Sequence, residues 1–508
     1  MFADKTVRRA FIRQWGGTLA GGCATVPWLD KLAPVSASES TLPPGAVRFS
    51  SEIEPLVRML EETPRDRVIE KVAARVATDN VSYQQLLSAL FLAGVRNIQP
   101  RPSVGFKFHA VLVVHSAHLA ALASVDSERW LPIFWAIDNF KSSQARDVRE
   151  GNWTMAAVTE ADLPDPVQAL RQFDKAMRQW DESAVDLATA SMARGQSAGS
   201  VFNAFARYAA RDFRSIGHKV IYLANAYRCL ETIGWQYAEP VLRSLAYAML
   251  NHQGDPNPAT SDLDADRDGR MNAERVTQLR TDWIVGRDDP TATAELLRAL
   301  RTVDSEQASQ LTVEMLNRGV SVRSIYDALF ASAAEMTMRQ PAIVPLHALT
   351  TTNAIHYVFR TCSDDRTRRF LLLQNAAFLP RFAAAAASRG KLADLQIDQL
   401  QAAEGTAQAS PEAIFHQLAE QPADAAAAVM GYLAAGNPVT DLMHHARRLI
   451  FRKGNDSHDY KYSSAVLEDF FAVTPAWRAR FLAAAMYKLR HEGHSDTSLV
   501  ARIETAFS

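Results

Sequence analysis

From Ile53 onward the apolar residues of this chain recur at intervals of three and four, as in Ile53, Leu56, Val57 and Leu60, and again in Val68, Val72 and Val76. That interval matches the turn of an α-helix and puts the apolar side chains on one face. Alanine-rich runs at 382–387 and 425–428 favour helix further, because alanine loses no side-chain entropy on entering one. No series of alternating β-branched positions bounded by hairpin signals occurs along the chain. The pattern predicts an all-α fold.

Four of the helical runs open on histidine at repeated spacing. His109 and His218 stand 109 positions apart, His347 and His458 stand 111 apart, and the second pair follows the first after 238 to 240 residues. Other local text repeats with them. His118 and His356 each lie nine positions after His109 and His347, and Leu245-Ala246-Tyr247-Ala248-Met249 is echoed by Leu482-Ala483-Ala484-Ala485-Met486. These echoes predict a large bundle-like fold from two duplicated halves of about 240 residues. The expected divisions are a leader and linker at 1–48, an N-terminal half at 49–260 and a C-terminal half at 261–508, the halves forming one unit.

Composition narrows the chemistry. A formal net charge of −1 over 508 residues gives no chain-wide attraction to nucleic acid or anionic membrane. Cys23, Cys229 and Cys362 are too scattered for a disulfide framework or a thiolate metal site. Ligands are therefore to be sought among histidine, carboxylate and lysine. Near the N-terminus, Arg8-Arg9-Ala10-Phe11-Ile12-Arg13 resembles a twin-arginine export signal. An uncharged stretch at 15–29 and a small-residue cleavage site at Val35-Ser36-Ala37 follow. A functional leader implies a periplasmic or exported protein; the alternative is a frayed helix on a cytoplasmic one. No later stretch is read as a membrane span.

A metal centre is the first functional expectation, since one imidazole from each of four helices is how a bundle holds a metal. Small residues follow each histidine by six to eight positions, Ser116, Asn225, Asn353 and Ser464 among them, and would let the four helices approach closely. The competing reading is a set of core histidines bonded to carbonyls. His115 rivals His109 for its place. His416, His444, His445, His491 and His494 read as surface residues, and His252 lies in the polar stretch at 251–270 that joins the halves. Within that stretch Asp264, Asp266 and Asp268 have calcium-loop spacing, although Arg275 stands where a bidentate glutamate belongs, so a solvated loop is the favoured reading.

Lys461 shares a helix face with His458. A protonated lysine would repel a bound cation, so as a ligand it must be neutral or carboxylated to a carbamate; otherwise it snorkels toward solvent or Glu468. Imidazole-rich sites suit iron, copper or zinc, and a carbamate oxygen shifts the preference to iron.

With Gly217-His218-Lys219, Ala224-Asn225-Ala226, Leu346-His347-Ala348-Leu349-Thr350-Thr351, and His458 with Lys461, the chain resembles the questin oxidase-like family. The similarity is diffuse and extends over most of the chain after about residue 90. The resemblance implies a mononuclear non-haem Fe(II) site on His109, His218, His347, His458 and carboxylated Lys461, with dioxygen-dependent ring cleavage of aromatic polyketides. His118, Asp138 and His356 are candidates to orient ligands or donate protons. Phe106, Phe108, Trp135, Tyr222, Tyr227 and Tyr460 could line an apolar pocket for a flat substrate. The rival readings are a metal-dependent hydrolase and a non-catalytic helical-repeat binding protein.

Overall fold

The computed structural model describes residues 45–78, 81–101, 104–250, 256–454 and 456–507; the leader, Cys23, His252 and most of the expected linker lie outside them. The described residues form α-helices and short 3-10 turns without a strand, and Gly45–Ser508 is one compact unit. The principal helices are α1 (Tyr83–Asn97), α2 (His109–Leu112), α3 (Val114–Leu122), α4 (Leu131–Glu150), α5 (His218–Ile233), α6 (Ala238–Met249), α7 (Asp264–Arg275), α8 (Val322–Arg339), α9 (Ile343–Thr361), α10 (Asp365–Ala387), α11 (Ser457–Ala472) and α12 (Pro475–Met486).

Local chemistry sets the boundaries of these helices. Ser82 and Gln85 close a capping box on α1, and Asp364 and Asp456 cap α10 and α11 through backbone amides of the first turn. The interior of the fold is a ring of helices in which α5 packs on α9, α9 on α11, α11 on α3, and the α2–α3 pair back on α5. Each of these helices is buried over most of its length, so polar residues such as Asn225, Asn353, Asp459 and Lys461 are carried into the interior beside the apolar ones. Some helix lengths are matched on either side of α7. Helices α5 and α11 both have 16 residues, α6 and α12 both have 12, and α4 and α10 have 20 and 23.

Two sequence expectations change here. The calcium-like segment, read as a solvated loop, is the start of helix α7, which begins at Asp264. Its acids are neutralised by arginine: Asp266 accepts from Arg214, at 2.8 Å from Nε, and Asp268 and Asp264 pair with Arg381. Asp264 and Asp266 lie in the first turn of α7, where the macrodipole favours acids, and all three aspartates meet arginine. Helix α10 is long and apolar enough by composition to cross a membrane, against the expectation of no such stretch. It is largely buried between α9 and other helices, as a core helix is.

One close approach in the ring depends on a glycine. Gly217 precedes α5 at φ 81°, a left-handed conformation, and a Cβ there would overlap the side chain of Thr351 on α9. A Gly217→Ala substitution is expected to destabilise the metal-free protein by about 1–3 kcal/mol, combining backbone strain with overpacking. Denaturant unfolding checks this, and an unchanged midpoint would remove Gly217 from the account.

Candidate metal centre

The helix ring brings the starts of its four members together, and each start carries a histidine. His109 and His218 are the first residues of α2 and α5, His458 is the second of α11, and His347 is the fifth of α9. Ring centroids of neighbours lie 4.9 Å apart for His109 and His218, 4.5 Å for His218 and His347, 5.2 Å for His347 and His458, and 4.5 Å for His458 and His109. The diagonal from His109 to His347 is 6.3 Å, so the four imidazoles form a closed square. His218 Nε2 is 3.1 Å from Nε2 of both His109 and His347, while nitrogens of His109, His347 and His458 lie within 4.8 Å of one another.

Hydrogen bonding decides what those nitrogens present. His109 Nδ1 is 2.9 Å from the Phe106 carbonyl, His218 Nδ1 is 2.7 Å from that of Ser215, and His347 Nδ1 is 2.6 Å from that of Ile343. A carbonyl only accepts, so each Nδ1 carries the proton and donates it. Burial pushes the pKa of all three imidazoles well below the ordinary histidine value, with the Lys461 amine adding to it, so the rings are neutral. Their Nε2 atoms are then bare, and the 3.1 Å contacts set lone pair against lone pair. A cation among them converts this repulsion into ligation. Two donors at right angles on ~2.1 Å bonds stand roughly 3 Å apart, which is the separation seen.

Backbone strain and buried charge hold the carbonyls in place. Phe106 has φ 53°, and Ile216, beside Ser215, has φ 42°, an unfavourable value for a β-branched residue. Lys107 pins the turn before His109 to α4 through Asp147 at 2.7 Å and Glu150 at 3.0 Å. Lys219 pins the turn before His218 through Asp212 at 2.8 Å, and Asp459 ties the start of α11 to Arg490. His458, the partly exposed member, has Nδ1 3.3 Å from Asp456 Oδ1, the carboxylate–histidine arrangement that raises the basicity of a metal ligand.

Lys461 lies one turn after His458 and is 3 % exposed. Burial pushes its amine down to about 7, and its Nζ has no hydrogen-bond partner. The snorkelling alternative does not hold, because Glu468 instead meets Arg228, at 2.5 Å, and Asn353. Four bare or carboxylate-supported imidazoles with one orphaned amine beside them fit a divalent metal.

The other sequence candidates are dispersed. His115 is absent from the square; it lines a small cavity with Lys461, and its Nδ1 is buried without a partner. His118 turns away to Tyr83, whose hydroxyl is 3.0 Å from Nδ1. His356 is packed edge-on against Tyr326 and Phe330, and burial draws it down to about 3. Asp138 gives both oxygens to the exposed Arg65, at 2.9 and 2.6 Å, so a role beside the metal loses its support. The aromatic residues pack on one another instead of opening a pocket: Trp135 stacks on Tyr460 at 4.1 Å, Phe108 meets Tyr222 edge-on, and Tyr227 meets Phe202. Phe106 is 70 % exposed. Among the expected surface histidines, His445 is half-buried and 2.9 Å from Glu492, and His491 and His494 are also half-buried, whereas His416 and His444 are exposed. Sequence reasoning missed the positioning residues Lys107, Lys219, Asp456 and Asp459; a charged residue next to a ligand histidine was the available signal.

Comparison with family models, with curated proteins and with solved structures finds no match.

Two outcomes test the centre. Chelator should lower the melting temperature of metal-loaded wild type and leave His347→Ala unmoved, because only a protein that binds the metal gains stability from it. Asp456→Asn should weaken metal affinity by about 10–100-fold, as removal of a histidine-orienting carboxylate does, in a competition titration.

Proposed function

We propose that this chain is a metal-dependent oxidoreductase, a non-haem iron oxygenase resembling the questin oxidase-like family. Fe(II) is held by His109, His218, His347, His458 and a carboxylated Lys461. The observation that carries this reading is the convergence of bare Nε2 atoms beside a buried, unpartnered Lys461 Nζ. Charge supports the carbamate. The N-termini of α5, α9 and α11 carry positive partial charge near a point that would also hold a divalent cation, and an anionic oxygen from Lys461 would offset both.

Iron(II), when bound, supplies the electrons that activate dioxygen. The chain itself holds the imidazoles of His109, His218 and His347 in one tautomer, excludes bulk water by burying those three, and draws the Lys461 amine down to about 7, so that an unprotonated fraction is available to carbon dioxide. In that reaction the amine lone pair forms the N–C bond, one C=O electron pair moves to oxygen, and the nitrogen loses a proton. Beside Lys461 is a cavity of about 20 Å³ lined by His115, Ser116, Asn225, Arg228 and Asn353. It has room for a guest the size of water, dioxygen or a hydroxyl group. Its polar lining departs from the expected aromatic pocket, so an aromatic or apolar substrate would reach the metal by another face. The parallel helix lengths on either side of α7 support a centre made by duplication, each half giving two histidines.

Protein purified without added metal should contain about one iron per chain, with loss in His218→Ala and His458→Ala and with oxygen uptake that depends on the iron. Metal absent after anaerobic iron loading would favour the binding-protein reading, and oxygen-independent hydrolysis with zinc would favour the hydrolase. Carboxylation is checked in zinc-exchanged protein by a carbamate carbon signal from labelled bicarbonate, expected in wild type and lost in Lys461→Arg.

A further inference from the structure

Away from the metal, a groove of about 630 Å³ opens where helices Pro166–Gln179 and Ala198–Ala209, helix α7 and the start of α10 meet. Its walls combine Tyr208, Val276 and Phe370 with arginines, chief among them Arg207, Arg211, Arg270 and Arg366. The volume suits a small metabolite.

The arginines are short of counter-charge. Arg211 and Arg366 make no ion pair among the described residues; Arg366 donates to the Ala273 carbonyl, and Arg211 Nη1 donates to that of Met177 at 3.1 Å. Arg207 comes no nearer than 3.8 Å to Asp174 and 3.9 Å to Asp364, and Arg270 is 3.8 Å from Asp262 while bonding backbone carbonyls. Three of the four acids lining the groove are engaged by other groups. Asp266 accepts from Arg214, Asp174 from Tyr208 and Arg178, Asp364 caps α10, and Glu274 is exposed on the rim.

Arg211 has an unmet need. Its guanidinium is held between Trp180 at 4.9 Å and Tyr208 at 5.1 Å, yet Nε and Nη2 are buried without a hydrogen-bond partner. Those two nitrogens form one edge of the guanidinium, whose parallel N–H groups match a pair of oxygens on a carboxylate or phosphate. Arginine stays charged when buried, so Arg211 keeps a positive charge in the wall of the groove.

The geometry points to an anion-binding site in this groove, taking a small molecule that carries a phosphate or carboxylate on an apolar body. The oxyanion lies among Arg207, Arg270 and Arg366, with the Arg211 guanidinium in the wall behind them, and Phe370 and Val276 meet the body. This site is independent of the metal reading, although Arg211 belongs to the same turn as Ser215, whose carbonyl orients His218.

Calorimetric titration of the full chain with inorganic phosphate and with benzoate, against sodium chloride at equal ionic strength, tests the assignment. Saturable binding of one or both, weakened at least tenfold in Arg211→Met and in Arg366→Met and retained in His347→Ala, is the expected result. Phosphate alone or benzoate alone would identify which oxyanion the groove takes. Arg366 is exposed, so its variant carries the test where Arg211→Met does not fold. Neither anion binding beyond chloride, or equal affinity in wild type and variants, would overturn it.

Discussion

Neutral imidazoles that turn bare nitrogens toward one another do not pack as ordinary core, and the design of this protein follows from that constraint. A core histidine satisfies both ring nitrogens. Here the Nδ1 atoms of His109, His218 and His347 are satisfied by carbonyls within four residues of each, and the Nε2 atoms are left to face one another at 3.1 Å. A cation sharing the lone pairs would relieve the repulsion, and the interior of the ring holds the donor set for ligation.

The surrounding structure resists the relaxation that would relieve it. Positive φ angles at Phe106, Ile216 and Gly217 place the accepting carbonyls, and the buried pairs Lys107 with Asp147 and Lys219 with Asp212 keep the strained turns closed. Breaking either pair would leave a charge in the interior, which costs more than the pair contributes when intact. Strain concentrated just before two of the converging histidines, and backed by buried charge on the same two turns, is a pattern common at functional sites. The tight start of α5 against Thr351 belongs to the same device, because it sets the distance from His218 to His347.

The all-α class and the histidine square were legible in the sequence because both leave periodic traces, one at helical interval and one at the spacing of His109, His218, His347 and His458. Spacing also selected His109 over His115, which the ring geometry matches. What periodicity does not encode is which residue a side chain meets across the fold. Asp138 sits beside the core in sequence but is drawn off by Arg65, 73 positions away. The aspartates of α7 have the spacing of a calcium loop, yet Arg214 and Arg381 reach them from distant segments. Trp135 and Tyr460 read as pocket lining and are stacked on each other. Long-range charge pairing and aromatic packing override local pattern in each case.

X-ray absorption spectroscopy at the metal edge, on protein purified without added metal, tests the central claim most directly. The account predicts an iron edge with a first shell of nitrogen and oxygen donors, and outer-shell scattering that requires four imidazoles on one ion. An iron-loaded protein whose spectrum needs two imidazoles or fewer, or that matches hydrated iron, would contradict it.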